Sequence, residues 1–248
     1  MSGHSKWSKI KRKKGAEDTK RSKIFSRILK EIAVAVREGG SPEPEFNPRL
    51  RVALQNAKGA NLPKDNIERA IKKASEGGGE TFLEPTYEGY APGGVAIFVE
   101  CATDNINRTV MNIRAYFNKN NGSLATKGSV DFLFDRKGIF IVDQNGLSED
   151  EFTMEMIDAG AEDVELEEGE FVITVAFEDF GNMQKKLEEI NVETKSAELQ
   201  RIPKTTTSVD DDTARKALKL VEAIEEDDDV QAVYHNMELS DSIMEEMV

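Results

Sequence analysis

Three consecutive glycines, Gly77 to Gly79, separate two stretches of this chain whose apolar residues recur at different periods. Ahead of them the spacing is helical. Beyond them it alternates every second residue in short runs broken by Pro, Gly and Asn. A helix-period pattern cannot settle as a strand, nor the reverse, so the chain has to fold as a helical module followed by mixed α and β structure. Within the first part, Ile24, Phe25, Ile28, Leu29, Ile32 and Val36 make a single apolar stripe, which predicts a helix over 17–37. A second helix is expected from "NPRL", with Asn47 as cap, Pro48 at the first position and Gly59 at the end. A third is expected from Pro63 until "SEGGGE".

The charge divides at nearly the same place. Residues 1–73 hold 19 Lys and Arg against 8 Asp and Glu, a net of +11; the remaining 175 hold 14 against 39, a net of −25. So lopsided a distribution marks an interaction arm, and cations placed near phosphates release condensed counterions without reading any base. The candidate phosphate contacts begin in the terminal arm with Lys6, Lys9, Lys11, Arg12, Lys13 and Lys14. They continue along the first helix with Arg21 and, opposite its apolar stripe together with Arg37, with Lys20, Lys23, Arg27 and Lys30. Arg49, Arg51, Lys64 and Arg69 add to them from the next two helices. Trp7 stands alone in this polar arm, with two roles open: a ring on which a base stacks, or a hydrophobic staple onto the first helix.

After the glycines, "PTYEGYAPGGVAIFVECATD" reads as strand, turn, strand, and Asp104 is expected to cap a helix carrying Ile106, Val110, Ile113 and Phe117. "GSVDFLF", "RKG" and "IFIVD" read as a strand, a turn and another strand. From Ile139 to Leu199 the expected order is β-α-β-β-α-β, the ferredoxin-like arrangement. The preceding strands lack a second helix and a last strand, and residues 213–226 with "DVQAVYHNME" supply them. The expected fold is therefore α+β: a basic helical domain (1–78), then two ferredoxin-like domains. The outer one comprises 79–134 plus 205–248, and the inner one, 135–204, is inserted into it.

Between Asp143 and Glu170 there are twelve acidic residues and no Lys or Arg, which suits a solubilising face or docking to a basic protein such as a ribosomal surface. No phosphate loop or nucleophile elbow occurs, and His4 and His235, the only histidines, offer no metal site or triad; no enzyme, cofactor or small-molecule substrate is expected. The longest apolar runs, "IAVAV" and "VAIFV", are too short for a membrane span. With one cysteine and no apolar leader segment, a cytoplasmic location is expected.

The fragments "GHSKW", "KRSKIFSR", "NPRLR", "NLPKDNIERAIKK", "YEGYAPGG", "TDNINRT", "GSV…F" and "DDVQAVYHN" occur in order along the chain, which through them resembles the YebC family over its full length. The resemblance implies three domains and a cytoplasmic regulator of transcription that binds DNA. It also implies an alternative, a ribosome-associated translation factor that binds ribosomal RNA and relieves stalling, since mitochondrial relatives activate translation. Through "TDNINRT" it adds Asn105, Asn107 and Arg108 as residues that could face a ligand. A third reading from the residues is an adaptor whose basic arm meets an acidic protein.

Overall fold

The computed structural model describes residues 18–78 and 81–247, which divide into two compact units. Of these, one unit takes residues 18–30, 81–135 and 202–247; the other takes Glu31–Gly78 and Arg136–Arg201. The fold is α+β, with two four-stranded sheets and helices packed on them.

Helix α1 (Asp18–Glu38) begins in the first unit and ends in the second. The first unit's sheet has the order β3-β1-β2-β8, from β1 (Thr86–Tyr90), β2 (Ala96–Cys101), β3 (Ser123–Leu124) and β8 (Val230–His235), every adjacent pair antiparallel. Strand β2 is apolar on both faces because both are covered. Ile97, Val99 and Cys101 pack with Ile113 and Phe117 of α4 (Ile106–Lys119), and with Leu220, Val221 and Ile224 of α7 (Asp211–Glu225). Ala96 and Phe98 pack on the other side with Val130, Phe134 and Tyr234, the Phe98 and Phe134 rings meeting edge-on at 6.4 Å. This unit departs from the expected ferredoxin-like order. It opens with the β1–β2 hairpin, joined by Pro92-Gly93-Gly94, and so runs β-β-α-β and then α-β. A short helix α8 (Asp241–Met247), with Ile243 buried in the same core, has no counterpart in the sequence reading.

In the second unit the elements β4 (Phe134–Asp143), α5 (Glu149–Asp158), β5 (Ala161–Glu167), β6 (Glu170–Ala176), α6 (Phe180–Glu189) and β7 (Thr194–Pro203) follow the expected β-α-β-β-α-β sequence, in sheet order β5-β6-β4-β7. Strand β4 starts at the edge of the first unit and continues unbroken where a turn at "RKG" was expected. Lys137 and Gly138 pair with Ala176 and Val175, and Gly138 is there for packing, since a Cβ would fall 2.6 Å from Phe180 and Val175. Phe140, Phe152, Met156, Phe171, Ile173, Met183 and Leu187 form the core.

Helices α2 (Pro48–Gly59) and α3 (Lys64–Ser75) also belong to this unit. Asn47 caps α2 as expected, its carbonyl oxygen accepting from Leu50 N at 3.0 Å while its amide donates to Ala35 O and Ser41 O. Asn56 clasps β7, donating to Ala197 O at 2.9 Å and accepting from Ala197 N at 2.8 Å. The approach is close enough that a Cβ on Gly59 would lie 1.8 Å from Lys195 O. In an open helix Gly→Ala gains about 1 kcal/mol. Here Gly59→Ala should instead cost about 1–3 kcal/mol, because the helix must back away from the strand. Denaturant unfolding checks the sign: a stabilised variant would show that the contact is loose.

Candidate nucleic-acid interface

Lys23, Arg27 and Lys30 recur one turn apart on one face of α1, where the sequence reading puts phosphate contacts. In the first unit this row meets the carbonyl end of α7. Arg27 donates from Nη2 to Glu225 O at 2.8 Å and from Nε to Val230 O at 3.1 Å. Lys23 donates to Glu226 O at 3.2 Å; Lys30 donates to Asp228 O at 2.7 Å and to Ala102 O at 3.2 Å. The last turn of a helix leaves its carbonyls without intrahelical donors and at the negative end of the macrodipole, so Arg27 and Lys23 are held there by the fold's own need, while Lys30 serves carbonyls beyond the helix end. Arg21 lies further out, exposed, with its guanidinium 5.8 Å from the Phe25 ring centre.

Lys30 also reaches Asp229 Oδ1 at 3.3 Å, the centre of a network that the sequence reading missed. The Asp229 side chain is 6% exposed. It accepts from Thr103 Oγ1 at 3.0 Å, from Thr109 Oγ1 at 2.9 Å, and from Arg108 Nη2 at 2.7 Å, with Arg108 Nε at 3.2 Å. Burial pushes the Asp229 carboxyl up, but hydrogen bonds from Arg108, Thr109 and Thr103 and the Lys30 ammonium outweigh it and hold the group below its ordinary range. Hydrogen bonds to Asp229, and then to Asp104, push Arg108 further up, so it stays charged. The helix cap is Asn105 rather than Asp104. Asn105 Oδ1 accepts from Arg108 N at 3.1 Å, while Asp104 is taken by the Arg108 guanidinium at 2.7 Å. Of the three "TDNINRT" candidates, Arg108 is thus braced against the fold, Asn105 caps α4 and remains exposed, and Asn107 is exposed on the first turn. The only sequence sign of Asp229 was an acid immediately ahead of strand β8.

In the second unit, Arg49 pairs with Glu38 at 2.5 Å and Arg51 donates to Pro44 O and Glu45 O. Lys64 pairs with Glu68 at 3.5 Å, and Arg69 with Asp65 O and Asn66, all on the exposed side of α3. Exposed pairs of this kind contribute about 0–1 kcal/mol and exchange readily for a phosphate. Lys20 belongs to the first turn of α1; Lys6, Trp7, Lys9, Lys11, Arg12, Lys13 and Lys14 lie outside the described residues. Cys101 is buried, and burial together with Asp227 and Asp229 pushes its thiol up to about 12, so at neutral pH it is no nucleophile. Among the described residues no cluster of His, Cys, Asp and Glu suits a metal ion, and no helix is long and apolar enough to cross a membrane.

Known proteins place this arrangement. A protein from Amoebophilus asiaticus named "Probable transcriptional regulatory protein" is 50% identical, covering 96% of this chain and 98% of its own. One of the same name from Rubrobacter xylanophilus is 48% identical, covering 100% and 99%. The crystal structure of a conserved hypothetical protein from Aquifex aeolicus superposes with a TM-score of 0.81 at 45% identity, over 90% of this chain and 93% of that one. Residues 5–77 match the TACO1/YebC protein N-terminal domain, and residues 82–237 the TACO1/YebC second and third domain. With both matches in chain order, and relatives alike over their full length, this chain belongs to the TACO1/YebC family.

Proposed function

We propose that this protein is a non-enzymatic regulator of transcription that binds DNA through its basic N-terminal segment. The observation that carries the reading is the net +11 of residues 1–73 in a chain of −14 overall. The name borne by the relatives agrees with it. Because Lys23, Arg27 and Lys30 hold carbonyls of their own unit, the phosphate contacts fall to the arm before Arg21 and to the exposed cations of α3. Contacts of this type position a protein on a duplex without reading sequence, so weak sequence preference is expected.

The domain reading that accompanies it keeps residues 1–78 as the basic module, with 135–204 inserted between 79–134 and 205–248. Strand membership supports the insertion alone: β1, β2, β3 and β8 share one sheet, and β4 to β7 the other, while the helices of 1–78 divide between the two units. Crosslinking in cells, followed by sequencing of the bound nucleic acid, tests the function. Promoter DNA is the expected product. Recovery of ribosomal RNA would replace this reading with the ribosome-associated one.

A further inference from the structure

Two motifs to which the arm gives no role, "YEGYAPGG" and "GSV…F", meet in the first unit. Glu88 of β1 is 2% exposed, and its carboxylate accepts three backbone N–H groups: Gly128 at 2.7 Å, Val130 at 2.6 Å and Asp131 at 3.1 Å. Tyr90 OH donates to Ser129 O at 3.2 Å, and the Thr126 and Ser129 hydroxyls share a bond of 3.2 Å. Val130 and Phe134, on either side of the turn Asp131–Leu133, are anchored in the core. A surface loop of this length is ordinarily among the loosest parts of a domain. This one is tied by a buried carboxylate and held in one shape.

What the rigid loop displays is an aromatic ring and a cation. Phe132 is 64% exposed although its neighbours at 130 and 134 are buried, and Lys127 is exposed near the start of the loop. A phenylalanine kept in water adds nothing to the core, whereas a ring fixed in advance loses little freedom when a planar partner arrives. Lys127 and Asp131 leave the loop without net charge, so stacking rather than Coulomb attraction has to carry a contact here. We infer that the loop Thr126–Leu133 is a second contact for nucleic acid, on which an unpaired base stacks on Phe132 while Lys127 meets a neighbouring phosphate. Glu88 is a positioning residue for this loop. The inference rests on the nucleic-acid reading above and adds to it a site for single-stranded segments outside the basic arm.

The test uses full-length protein, a thymidine homopolymer and a duplex of the same length. Phe132→Leu keeps apolar bulk but removes the flat ring, and should weaken single-strand binding about tenfold while leaving the duplex unchanged. Phe132→Tyr should bind as the wild type does. Lys127→Ala should reduce the dependence of log K on log salt by about 0.7 for the single strand. The melting temperature of each variant should match the wild type, since both side chains lie at the surface. Equal single-strand affinity of Phe132→Leu and wild type overturns the inference, and so does an equal loss on the duplex or no single-strand binding at all. A chain lacking residues 2–14, measured alongside, separates the two readings. If it binds weakly while Phe132→Leu binds normally, only the loop contact is overturned; if the wild type binds neither probe, both readings are.

Discussion

A chain lacking residues 2–14 should bind duplex DNA at least about 100-fold more weakly than the full-length protein at low salt. The deletion removes Lys6, Lys9, Lys11, Arg12, Lys13 and Lys14 with no acidic residue among them. Each phosphate contact steepens the fall of log K with log salt by about 0.9, so losing six should flatten that slope by about 5. Other cations cannot take over in full: Lys23, Arg27 and Lys30 are already bonded to carbonyls near the end of α7. The deletion removes none of the buried side chains of the described cores, so the melting temperature should hold. Titrations at several salt concentrations, with a thermal melt of the same sample, check both halves. An unchanged slope would mean that the arm is not the binding element. Trp7→Ala then separates the two roles left open for the indole, costing about 1–3 kcal/mol of binding if bases stack on it and almost none if it is a staple.

Asp229→Asn should strongly destabilise the first unit. It leaves the amide among donors arranged for a carboxylate and strips Lys30 and Arg108 of their shared counter-charge. Breaking a buried pair costs about 3–5 kcal/mol; with the Arg108 side chain 46% exposed and able to turn to water and Asp104, about 2–4 kcal/mol is expected. Arg108→Ala should cost less, because Asp229 keeps Thr103, Thr109 and Lys30.

The pH dependence follows from the direction of the shift. Asp229's carboxyl titrates lower in the fold than in the unfolded chain, so its contribution is complete above the ordinary carboxylate value near 4 and is lost as pH falls through the depressed folded value. The gap in melting temperature between wild type and Asp229→Asn should therefore narrow below about pH 4. A variant that melts with the wild type at pH 7 would show that the network does not hold the fold.

Much of this architecture is legible in the sequence because it depends on local period and local chemistry. The stripe from Ile24 to Val36 places α1 within a residue of its observed ends, and the Asn47-Pro48 pair and Gly59 bound α2 as expected. Alternation over 139–199 is enough to order six elements, since the side-chain period of a strand differs so plainly from that of a helix. The destination of the cations was decided only by the tertiary structure. A Lys or Arg on the polar face of a helix reads the same whether it faces phosphate or a carbonyl some 200 residues further along the chain. Every residue carries a carbonyl, so nothing in the composition marks Glu225 or Val230 as the acceptor. The same holds for Asp229 among the five consecutive acids Glu225 to Asp229, and for Glu88 in a strand motif that looked like a simple hairpin. Long-range pairing picks these carboxylates out, because burial in that one place makes each depend on donors that chain neighbours do not supply.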